Sequence, residues 1–165
     1  MDLTIVSLVL SGLAILLAIY ALFRKPAVAP LDTEKFNSTG LRLQAYERLV
    51  LLTERIALPN LISRLNKPGI SAFEMKLILT ENIKQEFEYN STQQLYVSPV
   101  SWDSVRNLKE QNIMLVNQVS ASMDETASAS DLNKKILELL MAQPNGSLHD
   151  MVLQALNFEA KKLLK

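Results

Sequence analysis

Cysteine is absent from this 165-residue sequence. Disulfides, thiolate metal ligands and cysteine nucleophiles are therefore excluded, and redox chemistry gives no clue to the compartment. Histidine occurs once, at position 149, and one histidine makes no zinc site unless carboxylates complete it. Net charge is also lacking: 17 Lys+Arg balance 17 Asp+Glu, which gives no electrostatic reason to expect nucleic acid as a partner. The four glycines leave little backbone with which to cradle a phosphate. None of the patterns G-x-x-x-x-G-K-[ST], H-E-x-x-H or G-x-S-x-G occurs. No segment sustains a two-residue alternation, so no sheet is expected. What remains is rich in Leu, Ala, Glu, Lys and Gln, a composition that favours helix.

One long apolar run is present. Leu3 to Phe23 carries no charge over 21 residues, and a helix of that length is about 31 Å long, enough to cross a bilayer core. A cleaved signal peptide fits less well. Met1-Asp2 is not basic, the run exceeds an ordinary signal-peptide core, and Ala27-Val28-Ala29 is followed by Pro30. Arg24 and Lys25 follow the run directly, while the preceding residues hold Asp2 and no cation. Positive flanks stay on the cytoplasmic side, so the expected topology is a single-pass signal-anchor in the inner membrane. The N-terminus would lie outside and the C-terminal domain would be cytoplasmic. Within the run Ser7, Ser11, Ala14, Ala18 and Ala21 recur at spacings of 4, 3, 4 and 3. Such a small-residue stripe lets two transmembrane backbones approach and would serve a homo-oligomer. The expected organisation is an anchor over 1–23, a proline-containing linker over 24–38 and a helical domain over 39–165.

The domain divides by period and punctuation. Leu41, Ala45, Leu49, Leu52 and Ile56 share one face of a helix over 41–56. Pro59 interrupts it, leaving a short continuation over 60–65, and Lys67-Pro68-Gly69 is a turn. Ser71 and Glu74 form a capping box for a helix with Met75, Leu79, Ile83 and Phe87 inward, expected to continue to about Val97. Ser98-Pro99 opens the next helix, with Ser101 as an alternative cap, and it runs to about Ser122. There Val105, Leu108, Asn112, Leu115 and Val119 keep a 3-4-3-4 spacing with Asn112 in mid-seam. Polar residues at such positions usually specify register at a cost in stability, so Asn112→Leu is expected to stabilise the domain. Residues 123–130 are read as a loop. A helix over 131–142 turns Leu132, Ile136, Leu139 and Leu140 inward. A last helix, capped by Ser147 and Asp150, carries Leu148, Val152, Ala155 and Leu156 and ends in lysines. The fold expected is all-α: one transmembrane helix and an antiparallel bundle of about five helices.

Few residues suggest chemistry. His149, between a cap and Asp150, reads as a surface residue. Glu86 and Glu88 are two apart and diverge on a helix, so they make no acid/base pair. Asn37, Asn90 and Asn145 each open an N-x-[ST] triplet, relevant only outside the cytoplasm. The least ordinary stretch is 86–102, which concentrates Tyr89, Asn90, Gln93, Gln94, Tyr96 and Trp102. These amides and hydroxyls either tie a helix corner with Trp102 packed beneath it or present a polar-aromatic contact surface to another protein.

The segments LRLQAYERLVLLTERI (41–56) and QEFEYNSTQQLYVSPVSW (85–102), with an N-terminal anchor, resemble a family of uncharacterised membrane-anchored proteins of the Bacteroidota. Gln93-Gln94-Leu95-Tyr96-Val97-Ser98 is the most specific part. The resemblance covers most of the domain up to about residue 120 and implies a bacterial inner-membrane setting without a mechanism. The function expected from all of this is that of a non-enzymatic scaffold or adaptor binding another protein at the membrane, with no cofactor and no metal. An accessory subunit of a larger membrane complex, or an enzyme with an unrecognised site, are the alternatives.

Overall fold

A computed structural model of the chain describes residues 6–7, 11–16, 19–20, 38–142 and 148–164. Two compact units divide it, Met1–Asn37 and Ser38–Lys165. In the first unit residues 6–7, 11–16 and 19–20 are helical, and Val6, Leu13, Ile15, Leu16, Ile19 and Tyr20 are exposed. Among the described residues no helix is long and apolar enough to cross a membrane. About half of the run Leu3 to Phe23 lies outside the described residues. Of the small-residue stripe, Ser7, Ser11 and Ala14 are helical and exposed, whereas Ala18 and Ala21 lie outside them.

The second unit is all-helical among its described residues. α1 is Ser38–Ile56, α2 Leu58–Leu65, α3 Ala72–Tyr89, α4 Pro99–Ala121, α5 Ala129–Met141 and α6 Leu148–Lys162; a 3-10 helix spans Ser91–Leu95. The sequence periods put the apolar faces inward. Leu49, Leu52 and Ile56 of α1 and Met75, Leu79 and Ile83 of α3 lose essentially all contact with water. They meet Val105, Leu108 and Val116 of α4, Leu132 and Ile136 of α5, and Val152 and Leu156 of α6 in one core. Each such side chain contributes about 1.5–3 kcal/mol by burial. α3 is central and touches α1, α2, α4 and α5, while α6 packs on α1 and α4.

Local chemistry sets the boundaries. Ser71 and Glu74 make the expected capping box: Ser71 Oγ accepts the Glu74 N–H at 3.2 Å and Glu74 Oε2 accepts the Ser71 N–H at 2.9 Å. α5 carries a second box, with Ser128 N–H donating to Asp131 at 3.0 Å and Asp131 N–H to Ser128 Oγ at 3.3 Å. It therefore starts at Ala129, inside the stretch expected to be loop. The two caps are joined by an isolated antiparallel bridge. Ala72 N–H donates to the Ala127 carbonyl at 2.9 Å, and Ala129 N–H to that of Ile70 at 3.0 Å. Gly69, at φ +81°, takes the left-handed conformation that reverses the chain ahead of Ser71.

Other expectations are corrected or narrowed. α3 ends at Tyr89 rather than near Val97, because Asn90 turns its side-chain amide back to the Glu86 carbonyl (2.8 Å) and its N–H to that of Phe87. Of the two caps expected for α4, Ser98 is the one used, accepting the Ser101 N–H at 3.2 Å. Leu139 is exposed and Leu140 half-buried, so the inner face of α5 is narrower than its leucines suggest. The expected caps Ser147 and Asp150 divide likewise: Ser147 lies outside the described residues, and Asp150 stands in the first turn of α6.

Candidate functional site

The 3-10 corner splits into an inside and an outside. Asn90 is 7% exposed and bonded to its own helix, as above. Trp102 is 8% exposed, its ring 4.8 Å from that of Phe87 and tilted by 35°. Tyr89 and Leu95 are 77% and 75% exposed. Gln94 and Tyr96 are also exposed, and half-buried Gln93 donates to its neighbour Thr92 at 3.4 Å. The tie across this corner is made by a residue the sequence analysis passed over. Tyr46, buried on α1, accepts the Ser98 N–H at 3.1 Å. Burial pushes its phenol pKa up, but the hydroxyls of Ser101 and Ser98 and the Ser98 N–H outweigh that and hold it below the ordinary tyrosine value, against the carboxylate of Glu159. Tyr46 lies three residues before Leu49 and ten before Ile56, a helical spacing that marks it as inward-facing.

A second site grows from Pro59. Without an N–H, proline cannot continue the bonding of α1, and Ala57 takes an extended ψ of 121° at the break. The last carbonyls of α1 are instead met by side chains. Asn60 Nδ2 donates to the Glu54 carbonyl at 3.1 Å and Arg64 Nη2 to that of Arg55 at 3.4 Å. Asn112 Nδ2, from α4, donates to the Ile56 carbonyl at 2.8 Å. Asn112 is thus a specific partner of a buried carbonyl. This corrects its reading as a polar register device, since replacing it orphans an acceptor inside the fold.

Beside the break lies a cleft of about 300 Å³ where α2, α4, α5 and α6 approach. That is near the small end of ligand-sized pockets. Leu58, Leu108, Met114, Leu115, Leu140 and Leu148 supply apolar walls, and Asn60, Gln111, Asn112, Gln118 and His149 supply polar groups. His149 is the second correction: its side chain is 20% exposed rather than on the open surface. Its Nδ1 lies 3.3 Å from Asp150 Oδ1, and its water-shielded Nε2 lies 3.6 Å from Glu54 Oε2, beyond hydrogen-bond distance. Glu54 Oε2 also accepts from Asn60 at 3.1 Å. The imidazole thereby lies between the first turn of α6 and the last turn of α1. Nothing in the spacing of His149 signals this, because Glu54 is 95 residues away in sequence. Among the described residues no three His, Asp or Glu side chains gather as metal ligands.

No curated protein matches the chain. No solved structure matches it. Residues 2–163 do match a family of unknown function, DUF7935, and the match takes in the N-terminal apolar run, both halves of the 3-10 corner and every helix lining the cleft. The chain is therefore a member of the DUF7935 family of unknown function.

Proposed function

We propose that this protein is a membrane-anchored, non-enzymatic adaptor whose helical domain holds a partner protein in the cleft beside the α1–α2 break. The observation that carries the proposal is the lining of that cleft. Its walls are leucines and methionine, its polar groups are mainly carboxamides, and its one ionisable side chain, His149, contacts Asp150 through Nδ1 and keeps a shielded Nε2 beyond hydrogen-bond distance of Glu54. Such a surface suits an apolar side chain of a partner, with amides to meet the partner's backbone. Anchoring rests on the uncharged run Leu3 to Phe23, and orientation on Arg24 and Lys25. The family match from residue 2 supports treating that run as part of the protein.

The test is purification of the full chain from its own membrane beside two variants. Met114 lines the cleft and is partly exposed, so Met114→Glu charges the site without emptying the core. Met151→Glu places the same charge on the exposed face of α6. A partner that co-purifies with the parent and with Met151→Glu, and is lost from Met114→Glu at an unchanged melting temperature, supports the proposal. A co-purifying set that is identical for all three overturns it.

A further inference from the structure

We infer that the groove between α2 and α5 is a second docking site, and that its occupant is an extended, uncharged stretch of peptide whose main chain is held by Asn133. This site depends neither on the anchor nor on the cleft at the α1–α2 break, with which it shares no lining residue. It begins with an unserved polar group. Asn133 is 6% exposed, and its Nδ2 donates to Asn66 Oδ1 at 3.2 Å. Its own Oδ1 is shielded from water and has no donor among the described residues. Turning both carboxamides end for end exchanges the roles and still leaves one polar atom of Asn133 unserved. A buried polar group without a partner costs stability, and each such group in a fold calls for a reason.

The reason lies in the groove that Asn133 lines, an open space of about 560 Å³ between the two helices. Asn66 serves one of the two polar groups of the Asn133 carboxamide. A main-chain amide carries both an N–H and a carbonyl, and so can serve both. Asn66 is exposed, and when displaced its own carboxamide returns to water. The exchange leaves no group worse served and one buried group better served. The ligand's backbone must be extended, because a helix commits its N–H and carbonyl groups internally except at its ends. The rest of the wall fits that geometry. Asn133, Leu137 and Met141 all line the groove, and residues four apart on a helix stand one above the other at about 6 Å. An extended chain turns every second side chain to the same side, about 6.6 Å apart. A peptide held at Asn133 therefore lays successive same-side residues on Leu137 and Met141. Leu137 is half-buried, and Met141 is 78% exposed. From Ser130 to Met141 this side of α5 is about 16 Å long, the span of about five extended residues. The two charged side chains of the wall, Lys134 and Glu138, are of opposite sign and select an uncharged occupant.

The test is selection of a phage-displayed library of random heptapeptides on the immobilised full chain, beside Asn133→Leu and Met114→Glu. Asn133→Leu removes the carboxamide without stranding a buried partner, since Asn66 is exposed, so its melting temperature is expected at or above that of the parent. The parent and Met114→Glu should enrich uncharged peptides with apolar residues two apart, and Asn133→Leu should not. The strongest peptide is then synthesised with a fluorophore, and its binding to the full chain is followed by anisotropy. N-methylation of its main-chain amides one at a time should weaken binding about tenfold or more at one position. Met141→Glu should weaken it as well. Asn66→Ala should tighten it, because the bond that the peptide must displace is gone. The absence of any enriched peptide overturns the inference, as does equal enrichment by Asn133→Leu or tolerance of N-methylation at every position. Peptides lost from Met114→Glu but kept by Asn133→Leu belong to the cleft and overturn the second site alone. An Asn133→Leu chain that melts well below the parent would show that the carboxamide is already served within the fold, and would remove the premise.

Discussion

Asn112 shows how far a residue's role can differ from the role its position suggests. Its place in an apolar seam was legible; the carbonyl it serves was not, because Ile56 is 56 residues away and is left open only by the break at Pro59. Leucine at 112 would bury more apolar surface, but it would strand an acceptor on a residue that is wholly shielded from water. Stranding a buried polar group costs about 1–3 kcal/mol. Asn112→Leu is accordingly expected to lower the unfolding free energy, measured by urea titration of residues 38–165, by an amount in that range. A midpoint at or above that of the parent would mean that Ile56 finds another donor. The corner gives a parallel contrast. Trp102→Ala removes a buried ring stacked on Phe87 and should cost about 3–5 kcal/mol. Gln94→Ala, on an exposed side chain, should fall within about 0.5 kcal/mol of the parent. A loss of more than 1 kcal/mol in the glutamine variant would show a tie that its exposure hides.

At the level of elements, most of the architecture could be read from spacing and punctuation. Pro59, Pro68-Gly69, Ser71 with Glu74, and Ser98-Pro99 each mark a boundary where the chain does change course. The second capping box escaped notice because it lies in a run of Ser, Thr and Ala without apolar period, although Ser128 and Asp131 have the required separation. The end of α3 was misplaced for the opposite reason: Gln, Leu and Tyr after Asn90 extend the helical composition, and only the back-bonding of Asn90 stops it. The two boxes make a prediction about acid. In each, hydrogen bonds to the serine hold a carboxyl pKa below the usual range: chiefly the Ser71 backbone N–H for Glu74, and the Ser128 hydroxyl for Asp131. A carboxyl depressed in the folded state stabilises it fully above the unfolded-state pKa. That contribution is lost as the pH falls through the folded value. Stability should therefore decline as the pH drops into the ordinary carboxylate range and level off below the depressed values. Ser71→Ala and Ser128→Ala should each cost about 1 kcal/mol at neutral pH. Combined, they should make the acid limb of a stability-against-pH curve shallower, through Asp131 more than through Glu74, whose chief donor, the backbone N–H at 71, survives the substitution. An acid limb as steep in the double variant as in the parent would place the titration elsewhere.

For the whole molecule, the proposed anchoring makes the side of the membrane on which the domain would lie decide which surfaces have any use. The asymmetry of Arg24 and Lys25 against Asp2 favours the cytoplasmic side, where the N-x-[ST] triplets have no role. The fold bears on one of those triplets in either topology. Asn90 is buried and its amide nitrogen, the atom a glycan would occupy, is donated to the Glu86 carbonyl, so modification there would require the end of α3 to unfold. Asn37 and Asn145 lie outside the described residues. A reporter fused after Lys165 should accordingly be active in the cytoplasm and silent beyond the membrane if the proposed topology holds, and Arg24→Glu with Lys25→Glu should weaken or reverse that outcome by removing the cations that the proposal makes the determinant of orientation. A parent fusion active only beyond the membrane would overturn the orientation, and with it the cytoplasmic partner assigned to the cleft. A fusion unchanged by the double substitution would move the determinant of orientation away from the two residues on which the argument rests.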